Sequence, residues 1–319
     1  MKEFGEFERQ AVMIHEQLAA GEIYYEARDQ LAKLADKLKG HRRTPRETPT
    51  VNPVFIVEMH LMMTDGAPQA SSVSDDFLAD LLVAIQTADG HLRHQVVSWM
   101  NWAIDHHRLT NDQLQWLAVQ LSQSKYLYDH LLERNSPGVY ARSLTLVLLR
   151  FVLYAARQQE RPIEVATLKR LSNRLVVAML GEKDLRGFVE GAGWVQTFAA
   201  YAGLCNEICA DERLNRGDKL FLVAAYLVAY RRLRAPLTMG EPDEGAAFIA
   251  QAVKTHPLYA RYFIEDLKAW RQEMDKQDPN KPATWHRVFN YRHLLQLLLL
   301  DSALPAQVVQ AVMEQENRG

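Results

Sequence analysis

Helical periodicity runs almost without interruption through this chain. Phe4, Phe7, Ala11, Ile14 and Leu18 form one apolar stripe, Gly21 breaks it, and Tyr24, Ala27, Leu31, Leu34 and Leu38 form a second. Spacings of three and four place each set on a single helix face. Two equal stripes joined at one glycine predict a helical hairpin. Neither stripe lasts beyond about three heptads, so a packed hairpin is expected rather than an isolated coiled coil.

A polar segment with two prolines follows, from Gly40 to Pro49, and reads as a linker. Its basic residues are either solvated or available to phosphate. Asn52-Pro53 then supplies an N-cap and a first-turn proline. Beyond it the stripes recur at Leu78/Leu81/Ile85, Val96/Trp99/Ala103 and Leu114/Leu117/Leu121, and they continue to Val308–Met313. Thr110 and Gln113 match a capping box. Pro162, Pro257 and Pro305 stand where new helices should begin. No alternating run bounded by hairpin turns predicts a strand. The count is about fifteen helices with short connections.

A chain of 319 residues is long for one compact core and suits two domains or an elongated array. The expected fold is all-α, with antiparallel helix pairs stacked as an irregular HEAT/armadillo-like α-solenoid. An irregular bundle is the alternative. The expected division is an N-terminal hairpin and linker over 1–50 and a helical-repeat domain over 51–319.

Composition narrows the function classes. Hydrophobic content of 48% with 24% charged residues excludes wholesale disorder. A net charge of −2 argues against a dedicated nucleic-acid binder. Two cysteines, Cys205 and Cys209, provide no disulfide framework and fit a reducing compartment. The charged start Met1-Lys2-Glu3-Phe4 is unlike a signal segment, and the longest apolar runs fall short of the ~20 residues that span a bilayer. A cytoplasmic protein without membrane or nucleic-acid partners is expected.

The unusual residues gather on loops. Four of the 15 glycines lie between Gly181 and Gly193, and glycine clusters mark backbone that turns sharply or approaches something closely. Gly191-x-Gly193 before a helix would offer amides to an anion, with Lys183 or Arg186 assisting. The alternative is a crossing loop in which Glu182 or Asp184 pins Arg186. Gly240-Glu241-Pro242-Asp243-Glu244 forms a second such loop, and 135–143, ending in Arg142-Ser143, a third. Two helices separate each loop from the next. In an up-down stack alternate connections share an edge, so loops 135–143, 181–193 and 235–244 should be neighbours, with 277–284 beside them.

Complete catalytic constellations are missing from the sequence. Ile104-Asp105-His106-His107 resembles a phosphoesterase triplet, but that chemistry needs strand-end aspartates, and the pair of histidines suits a helix end. Two thiols do not close a tetrahedral metal site. There is no His-Glu-x-x-His, Gly-x-Ser-x-Gly or phosphate-loop motif. No cofactor or metal is expected. Tryptophans at helical spacing are usually core; Trp194, after a glycine pair, is the exception.

Three stretches carry a resemblance: Tyr126-Leu127 with Val139-Tyr140-Ala141-Arg142-Ser143-Leu144; Glu182 to Val189 with Gly191-Ala192-Gly193-Trp194; and Glu241-Pro242-Asp243-Glu244. They are similar to motifs of a bacterial family known as domain of unknown function 2785. The family favours a phenylalanine-rich Val-Phe-x-Arg-Ser-Phe in place of the first. This membership implies a helical-repeat fold and no established activity. After the Gly-x-Gly-Trp the family carries two histidines four residues apart and then an aspartate. This chain has Gln196, Ala200 and Gly203 there, so any proton or metal chemistry of those histidines does not carry over.

The candidate binding residues are therefore Arg142, Glu182, Asp184, Arg186, Trp194, Glu241 and Asp243. The expected function is a helical-repeat interaction protein that binds a protein or peptide at the edge built by the three loops. The alternative is an enzyme or small-ligand receptor using a carboxylate/arginine pocket there.

Overall fold

The computed structural model describes residues 4–64 and 73–316, so the chain's first three residues, Met1-Lys2-Glu3, lie outside it. The fold is all-α. Its helices are α1 (Phe4–Ala20), α2 (Glu26–Lys37), α3 (Pro53–Met62), α4 (Asp75–Ala84), α5 (Gly90–Asp105), α6 (Asn111–Leu121), α7 (Ser124–Leu127) and α8 (Gly138–Gln158). After them come α9 (Val165–Gly181), α10 (Thr197–Cys209), α11 (Arg216–Arg231), α12 (Glu241–Thr255), α13 (Pro257–Met274), α14 (Pro282–Leu299) and α15 (Ala306–Glu316). A small hairpin, β1 (Phe188–Val189) and β2 (Gly193–Trp194), stands between α9 and α10.

Local chemistry sets the helix ends. The Asn52 side chain accepts from the Val54 amide ahead of Pro53, and Thr110 with Gln113 forms the expected capping box. A second box, unread in the sequence, joins Asn215 and Asp218 at the start of α11. His106 closes α5, its ring bonded to the Trp102 carbonyl at 2.8 Å, and His107 turns the chain with φ of 50°.

The helices lie in two rows. In one, α6 packs on α8, α8 on α10, α10 on α12 and α12 on α14; in the other, α9 packs on α11, α11 on α13 and α13 on α15. The main apolar core runs from Ala11 to Val312, and a small separate cluster of Val139, Tyr140 and Val195 lies at the β1–β2 hairpin. The longest helix, α8, spans 21 residues with a mean hydropathy of 1.5, long and apolar enough for a membrane span by composition, but 78% of that window is buried within the protein.

The α1–α2 hairpin turns at Gly21, whose φ is +74°, and packs against α9 and α11. His15 of α1 is buried there, 2.8 Å from Asn173 Oδ1 and 3.0 Å from Asp218 Oδ1, with its ring stacked on Phe221. The Lys169 ammonium also reaches Asp218 Oδ1 at 3.0 Å. Polar groups thus fix the register of an otherwise apolar contact.

A second buried charge joins α11 to α13. Asp266 lies 3.4 Å from Arg231, and its Oδ2 has no hydrogen-bond partner. Burial pushes its carboxyl from 3.8 up to about 6, against the pull of Arg231 and Arg28. The folded state therefore holds this proton more tightly than the unfolded chain, and stability falls as pH rises through the window from about 4 to 6. Asp266→Asn is expected to flatten that part of the profile, as measured by urea unfolding across the window. Parallel profiles for the two proteins would show that Asp266 does not titrate there.

Candidate functional site

Loops 135–143, 181–193 and 235–244 are neighbours as expected: Arg186 reaches the Ser136 carbonyl, and Gln196, just after the second loop, reaches that of Met239. Arg142 lies in the second turn of α8 rather than on the loop before it, and it is fully buried. Its Nε donates to Glu182 Oε2 at 3.0 Å and its Nη2 to Oε1 at 2.6 Å, while Nη1 donates to the Asp129 carbonyl. Burial opposes the guanidinium charge, but Glu182 holds its pKa above the usual range. Glu182 Oε1 also accepts from the amides of Lys183 and Asp184, and the Tyr201 hydroxyl donates to Oε2 at 3.3 Å. Every oxygen of this carboxylate is occupied.

Arg186 is held in the same way. Nε and Nη2 donate to the two oxygens of buried Asp184 at 2.8 and 2.6 Å, and Nη2 also reaches the Ser136 carbonyl at 3.0 Å. Its guanidinium lies 5.4 Å from the centre of the Tyr140 ring, and Arg93 lies 4.7 Å from the same ring. The pinned-arginine alternative is the one found. Glu241 is buried at the first position of α12 and accepts the Met239 amide at 2.8 Å.

Gly191 and Gly193 do not present amides to an anion at a helix start. Both have positive φ and shape the turn of the β1–β2 hairpin, in which Ala192 N donates to Val189 O at 3.0 Å. Val195 N then returns to Gly187 O at 2.8 Å, and α10 begins only at Thr197. Strands of two residues are too short to show alternation, which is why the sequence predicted none.

Four further bonds tie the hairpin down. Arg93 of α5 donates to the carbonyls of Ala192 and Trp194 at 2.8 and 2.6 Å; Ser143 donates to Val195 O; Gln196 donates to Met239 O. Gly187 is a close approach: a Cβ there would stand 2.6 Å from Met239 Cβ and 2.7 Å from Glu241 Oε1. The edge continues to α14, where the His286 ring meets the Arg234 carbonyl at 2.8 Å, and where Trp285 Nε1 donates to Pro279 O in the 277–284 loop at 2.9 Å.

Beside the hairpin, α5, α8, α10 and α12 enclose a cleft of about 710 Å³. Val97, Leu144, Val147 and Phe151 give it apolar walls, and Trp194 and Asp243 also line it. Arg150, which interrupts the most apolar run of the chain, faces Glu244 across it at 3.4 Å. Phe188 and Trp194 meet edge-on at 5.2 Å, yet they are 50% and 57% exposed. Met239 nearby is also exposed.

The seven candidate residues thus divide. Trp194 and Asp243 line the cleft. Arg142, Glu182, Asp184, Arg186 and Glu241 are bound to one another or to backbone and brace the loops around it. The sequence reading missed Arg93, Phe188, Arg150 and Glu244. Arg150 carried a signal as a charge inside an apolar run, Phe188 and Glu244 stood within the family-like stretches without being singled out, and Arg93 carried none. Gln196 and Ala200, two of the three positions where the family motif departs, line the cleft, and Gly203 lies against the Arg150 guanidinium. Among the described residues no group of three histidines, cysteines or carboxylates could hold a metal ion. Burial pushes the Cys209 thiol up to about 12, which keeps it protonated at neutral pH.

The profile of one family, described as a protein of unknown function (DUF2785), matches residues 127–300. No curated protein and no solved structure matches the chain.

Proposed function

The chain belongs to the DUF2785 family, and we propose that it is a helical-repeat interaction protein that grips a protein partner at the hairpin edge. In this reading the two rows of helices form an irregular HEAT-like stack. The edge is a rigid platform, and the partner inserts an apolar side chain into the cleft beside Trp194. The observation that carries the proposal is the exposed Phe188–Trp194 pair on a hairpin braced by buried ion pairs. Large exposed aromatics on rigid backbone beside a pocket have the make-up of interface hot spots. The fixed backbone limits the entropy lost on binding.

Acid/base chemistry at this edge has less support. Glu182 and Asp184 each face an arginine rather than another carboxylate, so their oxygens are committed to pairs that hold the loops.

A random peptide library selected on the full chain and counter-screened on Trp194→Ala tests the proposal. Enriched peptides should share a large apolar residue and bind Trp194→Ala at least ~10-fold more weakly, a loss of about 1.4 kcal/mol. The variant should keep the wild-type urea midpoint, because its ring is exposed. Peptides that bind both proteins equally, or no enrichment, would remove the hairpin as the site.

A further inference from the structure

Four cations distant in sequence, Arg134, Lys183, Arg232 and Arg234, are drawn together beside the end of α2 and the segment that follows it, and Arg287 lies near the last two. His41 N bonds to Leu132 O at 2.8 Å, and Thr44 binds Glu133, which places Arg134 beside this segment. A Cβ on Gly40 would stand 4.0 Å from Lys183 Cγ and 3.4 Å from Leu132 O. Arg232 reaches back to Asp36 near the end of α2. Arg234 and Arg287 flank the contact between the Arg234 carbonyl and His286.

The nearby carboxylates do not balance them. Glu182 is taken by Arg142, Glu133 by Thr44 and His130, Asp36 meets Arg232 alone, and Glu273, which also acts on Arg287, is shared with Arg231 at 3.7 Å. The side chains of Arg134, Lys183 and Arg234 make no hydrogen bond or ion pair with the described residues, although Lys183 is half-buried. Burial first, and then Arg232, Arg234 and Arg134, push the Lys183 pKa down against the pull of Glu182. Burial, Arg234 and Arg232 do the same to Arg287 against the pull of Glu273; its Nη1 donates to Gln277 at 2.9 Å, and its Nε is buried without a partner. A chain with net charge −2 has spare carboxylates, yet it has gathered like charges where they repel one another and lose hydration.

We propose that this cluster is a binding site for a compact polyphosphate group, a diphosphate or triphosphate carried on a small molecule. Forked guanidiniums match phosphate oxygens in pairs, and a lysine adds a point charge. Convergence from four separate segments suits a compact anion rather than an extended one, and the overall negative charge disfavours a long polyanion. This inference stands apart from partner binding at the hairpin.

The test titrates inorganic tripolyphosphate into the full chain by isothermal calorimetry at fixed ionic strength. Saturable one-to-one binding is expected, weakened at least ~10-fold in Lys183→Met and in Arg234→Gln. Arg234 is exposed, so Arg234→Gln keeps the test valid if Lys183→Met disturbs the fold. No saturable binding, equal affinity in the Arg234 variant, or equally tight binding of a short polyglutamate would overturn the proposal.

Discussion

Arg142→Met is expected to be among the most destabilising single substitutions in this protein, costing about 3–5 kcal/mol. Methionine matches the arginine stem in volume, so packing is largely kept and the charge is what is removed. Glu182 then remains buried as a carboxylate with only two amides and the Tyr201 hydroxyl as donors. The Asp129 carbonyl also loses its donor. Urea unfolding at neutral pH reads the loss. Adding Glu182→Gln to the same chain is expected to recover part of it, because a neutral amide no longer needs the cation. The coupling between the two changes, taken from a double-mutant cycle, should be favourable and exceed about 1 kcal/mol. A loss below about 1 kcal/mol in Arg142→Met would mean that water reaches the carboxylate, and the ion pair would then not be the brace of the hairpin edge.

The helix class and the neighbouring of the loops were legible because both rest on periodicity and parity. Stripes at three and four residues define a face, and alternate turns of an antiparallel stack must fall on the same side. The Thr110 cap was equally visible because its chemistry is local. The β1–β2 hairpin was not, since two residues per strand leave no alternation to see. It is braced by Arg93, ninety-nine positions before Ala192, and no local pattern encodes such a contact.

The candidate site was legible in part for a related reason. Arg142, Glu182, Asp184 and Arg186 stood out as charges in glycine-rich surroundings, and sequence alone does not say whether such charges are displayed or paired. Pairing is a matter of distance, and the structure places each arginine within 2.6 Å of its carboxylate. Trp194 was recognisable because it follows glycines instead of joining a stripe. Phe188 follows the single Gly187 and was not singled out, and its exposure follows only from the turn that sets it against Trp194. Lys183 entered the reading only as a cation that, like Arg186, would assist an anion at the Gly191 and Gly193 amides. Its unpaired state depends on segments far away in the chain, Arg134 and Arg232–Arg234 among them.

Gly217→Ala is expected to destabilise the protein by about 1–3 kcal/mol, although alanine is the better helix former. Gly217 occupies the first turn of α11, where α1 crosses it. A Cβ would lie 2.5 Å from the Leu18 carbonyl carbon and 2.6 Å from Ala19 Cα, with the Leu18 oxygen closer still. These are backbone atoms, so no rotamer change relieves the clash, and the end of α1 must move away. Displacement of α1 also pulls His15 from Asp218, leaving a buried carboxylate with fewer donors. Hydrogen exchange localises the effect: amides of α1 and α2 should lose protection while those of α8 keep theirs. Gly21→Ala is the informative comparison. Nothing lies within 4 Å of the added carbon there, so its cost is the left-handed backbone alone, about 1–2 kcal/mol. If Gly217→Ala instead raised stability by up to about 1 kcal/mol, helix propensity would have won. The contact of the N-terminal hairpin with α11 would then be loose enough to absorb a methyl group.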